Sequence, residues 1–214
     1  MLKIWGRRSS ANVQKAMWLI GELNLAHEHI AAGGPYAKLN TPEFLAKNPH
    51  GLVPVIEDNG AVIWESNAVV RYIAARYGTP RFWQDDPAAR ANWDKWMDWA
   101  ATTFQPNIIG LFWSYWRTPE AARNGQQIEH FAERTARDLT LLDGILATRP
   151  YLAGDDFTLA DIPTGVHLYR YYTIGRPVPK LAHVEAWYAR LSARPAYRTH
   201  VMIDYEELRG RLTF

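Results

Sequence analysis

Two short stretches, His50-Gly51-Leu52-Val53-Pro54 and Trp64-Glu65-Ser66-Asn67, carry residue types that complement one another. The residue before a proline is driven into extended geometry, so Val53 can turn its N–H and C=O toward an extended ligand. An X-Pro bond in such a turn can be cis, which adds Pro54 to the clamp. Glu65 can accept an ammonium group. Ser66, at a helix start, can cap that helix and hold a carboxylate at its positive end. A backbone clamp beside an acid and a helix head suits a small peptide that bears both an ammonium and a carboxylate.

A third constellation stands near the N-terminus. Leu2-Lys3-Ile4-Trp5 reads as a strand and Gly6 to Asn12 as a turn into a helix, with Val13, Met17, Ile20 and Leu23 at helical spacing. A hydroxyl or amide at that helix start can donate to an anion, and the helix dipole adds to the effect. From local sequence alone, Ser9 or Ser10 acting as a plain helix cap is the commoner role.

Taken together, these stretches resemble the glutathione S-transferase family. The matching segments are Ser10-Ala11-Asn12-Val13-Gln14-Lys15, Asn48-Pro49-His50-Gly51-Leu52-Val53-Pro54, Glu65-Ser66-Asn67-Ala68 and Phe157-Thr158-Leu159-Ala160-Asp161-Ile162. A fifth is Trp187 with Arg190-Leu191 and Arg194-Pro195. Each is weak alone, but five in register across essentially the whole chain are strong. The similarity runs to the bacterial serine-type transferases near the theta, phi and nu groups. It implies an α/β thioredoxin-like N-terminal domain, an all-α C-terminal domain, a homodimer and glutathione as co-substrate, with a detoxifying role.

The elements that must position these residues follow from pattern. In the expected thioredoxin-like domain, residues 1–78, His27-Glu28-His29-Ile30 supplies a second strand. Thr41-Pro42 opens a short helix to Lys47. Val55-Ile56-Glu57 and Val62-Ile63-Trp64 flank the hairpin signal Asp58-Asn59-Gly60. A helix from Ser66 carries Val70, Ile73 and Tyr77 and stops at Gly78. Residues 79–87, with Pro80, Pro87 and Asp85-Asp86, read as a linker. From 88 to 214 strand signals fade. Trp93, Trp96, Ala100, Phe104, Ile108 and Leu111 mark one long helix. Thr118-Pro119-Glu120 starts another, with Ile128, Phe131, Thr135, Leu139, Leu142 and Leu146 facing inward. Thr158 and Asp161 form a capping box with Phe157 and Ile162 as its staple. Asp161→Ala is therefore expected to harm folding more than catalysis. Pro163 is expected to remove a backbone bond and bend the helix that follows.

The resemblance assigns roles residue by residue. Ser10 takes the place of the activating serine and Asn12 is the second choice, with Ser9 a minor candidate if the register slips. Val53 pairs with the cysteinyl part, while Glu65 and Ser66 hold the γ-glutamyl end. Asn40, Lys38 and His50 are the candidate donors to the glycyl carboxylate. Leu52 departs from the lysine or glutamine found in several relatives. Asp98 either faces a neighbouring subunit's ligand or is simply solvated. The electrophile pocket would draw on Arg8, Phe112, Trp113 and Trp116, with Tyr115, Arg117, Tyr169 and Tyr172 nearby. Arginine beside aromatic surface favours small acidic electrophiles such as haloacids, although most of the ten tryptophans should be core.

Bulk properties exclude other chemistry. The chain has 214 residues, no cysteine, 48% hydrophobic content and a net charge of +2 with scattered basic residues. Disulfides, thiolate metal sites and a protein thiol nucleophile are ruled out. Scattered charge makes no case for nucleic acid. No apolar run reaches the ~18 residues of a membrane span. Arg7-Arg8 lacks the apolar core of an export signal, so the cytoplasm is the expected location. His27 and His29 share a strand face with no third ligand at motif spacing, so no metal is expected. Gly33-Gly34-Pro35 lacks the lysine of a phosphate loop. The resemblance implies three alternative functions: conjugation of glutathione to small electrophiles, glutathione-dependent reduction of a disulfide or peroxide, and a non-catalytic binding or regulatory module on the same fold.

Overall fold

Leu2–Trp5 alternates buried and half-buried positions and forms β1 at the centre of a four-stranded sheet. β2 (His27–Ile30) runs parallel to it, with Leu2 opposite His27. β3 (Val55–Asp58) runs antiparallel on its other side, with Ile4 opposite Ile56, and β4 (Ala61–Trp64) closes a hairpin on β3. The turn is Asn59-Gly60, at φ 49° and 87°, the left-handed pair that a two-residue hairpin needs. The computed structural model describes residues 1–212, which form two compact units. The sheet belongs to the first, Met1–Trp83 together with Ala196–Ile203.

Within this unit α1 (Ala11–Glu22) and α3 (Ser66–Tyr77) pack against one another. Val13, Met17 and Ile20 of α1 and Val69, Val70 and Ile73 of α3 are buried. The short α2 (Pro42–Leu45) starts as its sequence directs, with the Thr41 hydroxyl accepting from the Phe44 N–H. Buried Asp58 accepts from the Tyr72 hydroxyl at 3.0 Å and the Tyr77 hydroxyl at 2.6 Å, which ties the hairpin to α3.

Part of α9 (Pro195–His200) also belongs to the first unit. Tyr197 is fully buried edge-on to Trp18, with ring centroids 4.7 Å apart. The Arg8 guanidinium donates to the Thr199 carbonyl at 3.1 Å. Gly21 leaves room for the His200 ring, since a Cβ there would lie 2.8 Å from it. Burial, followed by the positive field of Arg8 and the rings of His27 and His29, lowers the His200 pKa from 6.5 to about 4. A base depressed in the folded state binds its proton more readily when unfolded, so its stabilisation is complete above pH 6.5 and fades toward pH 4. The melting temperature of the native chain should therefore fall over this window more steeply than that of His200→Gln. Parallel melting curves from pH 7 to pH 4 would dismiss His200 as the acid-sensitive contact.

The second unit comprises Gln84–Pro195 and Asp204–Leu212. α4 (Pro87–Trp99) begins at Asp86, whose carboxylate accepts from the Ala89 N–H at 2.8 Å. It runs through a wide-turn segment, Ala100–Phe104, into α5 (Gln105–Phe112) and a second such segment, Trp113–Arg117. Thus the single long helix expected from the sequence contains two π segments. Gly110 lets α5 approach α6 (Gly125–Leu146) closely, since a Cβ there would meet the Phe131 ring at 2.3 Å.

The start of α6 differs from the sequence expectation. Thr118-Pro119-Glu120 leads only to one 3-10 turn, and α6 is capped by Asn124, whose side chain accepts from the Gln127 N–H. The Thr118 hydroxyl donates backward to the Trp113 carbonyl at 2.9 Å, so it closes the preceding helix instead of opening the next. Ile128, Thr135, Leu139, Leu142 and Leu146 are buried as expected, with Phe131 half-buried. Thr158 and Asp161 form the capping box ahead of α7 (Ile162–Thr173), and α8 (Ala182–Ser192) follows. Pro163 is the second residue of α7, which continues directly from the 3-10 turn Leu159–Asp161. Among the described residues, no helix is long and apolar enough to cross a membrane.

Candidate functional site

Gly6 makes the exit from β1 possible. Its φ is 152°, and a Cβ would lie 2.3 Å from the Val13 side chain and 3.2 Å from that of Val53. The turn delivers Ser10 to the N-cap of α1 in extended geometry. Its carbonyl accepts from the Gln14 N–H at 2.9 Å, yet its hydroxyl makes no capping hydrogen bond. No acidic residue occupies the first turn to neutralise the positive end of the helix. Ser9 is buried beside it, whereas Ser10 and Asn12 are half-buried.

The head of α3 meets this turn. The Ser66 hydroxyl donates to Asn12 Oδ1 at 3.3 Å and accepts from Lys15 Nζ at 3.2 Å. Ser66 is the first helical residue, and Glu65 is the N-cap, with φ 70°. The expectation that Ser66 caps α3 is thus corrected: its hydroxyl reaches across to α1. A non-glycine residue at positive φ costs ~1–3 kcal/mol and persists only where its surroundings fix it. Here it leaves the Glu65 side chain exposed at the helix head.

Sequence reasoning gave Lys15 no role at the site. It is 1% exposed, and burial lowers its pKa from 10.5 to about 7, with the Glu65 carboxylate opposing part of that fall. In the structure Val13 to Ile20 is buried on every side of α1, so a lysine within that run has no solvent face.

The Val53-Pro54 peptide is cis. Among the described residues, no group pairs with the backbone of Val53. Asn48 shapes the loop before it. Its side chain donates to the Leu52 carbonyl at 2.9 Å and accepts from the His50 N–H at 3.0 Å, while Gly51 turns at φ 61°. The exposed His50 ring stands edge-on to Trp64, 5.2 Å between centroids. Leu52 and Asn40 are exposed, and Lys38 donates to the Ala31 carbonyl.

In the second unit, Phe112 and Trp116 are buried with Ile174, Tyr205 and Leu208, and Tyr115 and Tyr169 pack on that cluster. Trp113, one residue round the helix, is exposed. The Arg117 guanidinium lies 3.9 Å from the Trp113 ring centre, and Arg209 stands 3.9 Å from that of Trp116. Buried Arg170, which sequence reasoning overlooked, faces the Phe112 ring at 5.0 Å. Arg8 lies in the first unit and Asp98 is exposed on α4. Among the described residues, no group of three or more potential ligands is placed to hold a metal ion.

Known proteins resemble this chain along most of its length. Residues 5–81 match the family model described as glutathione S-transferase, N-terminal domain, and residues 125–190 match the corresponding C-terminal domain. Glutathione S-transferase GstB of Escherichia coli (strain K12) is 38% identical over 205 residues, covering 95% of this chain and 99% of that protein. Glutathione S-transferase 3 of Zea mays is 33% identical, covering 94% and 93%. The crystal structure of the theta class glutathione S-transferase from Xanthomonas axonopodis pv. citri with glutathione bound superposes with a TM-score of 0.91 at 43% identity. That match covers 95% of this chain and 98% of the other.

Proposed function

Because the chain belongs to the glutathione S-transferase family, we propose that it conjugates glutathione to small electrophiles by thiolate attack. One observation carries the proposal: Ser10 stands at the positive end of α1 with its hydroxyl uncommitted to capping. That hydroxyl donates to the glutathione sulfur and, with the helix dipole, favours the anion. The unpaired Val53 backbone takes the cysteinyl part as an added strand. Glu65 takes the ammonium, and Ser66 takes the α-carboxylate of the γ-glutamyl group. His50 and Asn40 serve the glycyl carboxylate in place of Leu52. Asn12 acts through Ser66 as a positioning residue.

The electrophile meets exposed Trp113, against which the Arg117 guanidinium lies; Phe112 and Trp116, buried in the core cluster, support that surface from behind. Guanidinium groups among aromatic rings favour small acidic haloalkyl substrates. The protein acts as a cytoplasmic homodimer in detoxification. Turnover tests the proposal directly. An alkyl halide should be consumed with thioether formation, a haloacid faster than its amide, and a mixed disulfide should be reduced far more slowly. Disulfide reduction outpacing conjugation would transfer the activity to the reductase class. A melting temperature unmoved by millimolar glutathione would leave a non-catalytic module.

A further inference from the structure

Lys15 has no part in thiolate activation as just described, yet α1 buries it against the head of α3. We propose that Lys15 is a selectivity and positioning residue whose buried ammonium makes the Ser66 hydroxyl select a γ-glutamyl group that carries its α-carboxylate. The proposal rests on the glutathione site assigned above and deepens it.

The reasoning starts from donor and acceptor capacity. An ammonium donates three hydrogen bonds and accepts none. Lys15 Nζ lies 3.2 Å from Ser66 Oγ, so a charged Lys15 occupies an acceptor position of that oxygen. The Ser66 proton must then point elsewhere, and it points at Asn12 Oδ1, 3.3 Å away. An incoming carboxylate is a stronger acceptor than a neutral amide, so the same proton swings to it without breaking the Lys15 contact. The ammonium then stands one hydroxyl away from the ligand's negative charge, in a buried setting where such attraction is poorly screened. A neutral amine could accept the Ser66 proton and turn the hydroxyl away from the ligand. The charged state of Lys15 therefore sets the direction in which Ser66 donates.

Titration follows from the same geometry. Burial brings Lys15 to about 7, and the charged group acting on it is Glu65 at the head of α3; its own helix contributes no acid in the first turn. A bound carboxylate favours the ammonium, so binding takes up a proton above neutrality, and affinity declines as pH rises through the free-state value.

S-methylglutathione, which has no thiol to titrate, isolates this effect, and its 4-aminobutyryl counterpart lacks only the α-carboxylate. Calorimetric titration of both at pH 6 and pH 8 should show the native protein preferring S-methylglutathione by about tenfold or more at pH 6, equivalent to ~1.4 kcal/mol. That preference should shrink at pH 8. Lys15→Met should bind the two ligands within about twofold of one another at either pH, since the charge is gone while the volume is kept. Lys15→Arg, always charged, should keep a preference that does not decline with pH beyond what the ligand's own amine imposes on every variant. Native-like discrimination in Lys15→Met overturns the proposal. So does a pH dependence in the native protein that matches that of Lys15→Arg, a comparison that holds even if the Met variant fails to fold. A native protein that does not bind S-methylglutathione at all removes the assigned glutathione site itself, and this outcome is distinct from the others.

Discussion

Replacing Asp161 by alanine should bring the protein close to unfolding while leaving the chemistry of whatever fraction folds unchanged. The carboxylate is fully buried and does more than complete a capping box. It accepts from the Thr158 N–H at 2.9 Å, from the Leu152 N–H at 3.0 Å and from the Trp187 indole N–H at 3.1 Å. Removing a cap alone costs ~1 kcal/mol. Leaving three buried donors unpaired costs ~1–3 kcal/mol each, which together approaches the ~5–15 kcal/mol that separates folded from unfolded domains. Burial raises the Asp161 pKa to about 6, with the three donors and Arg194 pulling the other way. Asparagine keeps one acceptor oxygen in that place but turns an amide toward the remaining donors. Asp161→Asn should therefore fall between the native protein and the alanine variant. Urea unfolding followed by far-ultraviolet circular dichroism checks the order. An Asp161→Ala midpoint within error of the native one would show that these three hydrogen bonds are not what anchors α7.

The capping box was legible because both members lie within four residues and obey a local rule, whereas its long-range partners were not. Leu152 and Trp187 reach Asp161 from opposite directions along the chain, and no periodicity links them to it. The same division runs through the fold. The hairpin announced itself in Asn59-Gly60, and the strands announced themselves in their alternation. Thr118-Pro119-Glu120 has the grammar of a helix start, but the Thr118 hydroxyl was already engaged by the helix behind it. At the candidate site, local motifs singled out Ser10, Val53 and Glu65. The contact joining Asn12, Lys15 and Ser66 spans α1 and α3, so only packing reveals that Ser66 serves the neighbouring helix rather than its own. Phe112 and Trp116 looked like pocket walls because aromatic residues gather there. The tail residues Tyr205 and Leu208, which share their cluster, carry no sequence signal tying them to α5.

Ser10→Ala should raise the pKa of the bound glutathione thiol and slow conjugation to match. A free thiol titrates near ~8.5, so little of it is thiolate at neutrality. A hydrogen bond to a charged acceptor contributes ~1.5–3 kcal/mol, and each pKa unit corresponds to ~1.4 kcal/mol. Losing the Ser10 donor should therefore shift the bound thiol upward by ~1–2 units and cut kcat/KM at neutral pH roughly ten- to hundredfold. The loss stays finite because the alanine variant retains the backbone N–H groups and dipole of α1, which still favour the anion. Asn12→Ala should behave differently. Its Oδ1 accepts from Ser66, so its removal disturbs the γ-glutamyl end and should appear mainly in KM. Ultraviolet titration of the bound thiolate separates the two. A thiol pKa that stays at the native value in Ser10→Ala but rises in Asn12→Ala would move the donor role two residues along the helix. Both alternatives keep the activating group on the first turn of α1, where a developing sulfur anion meets the positive end of the helix.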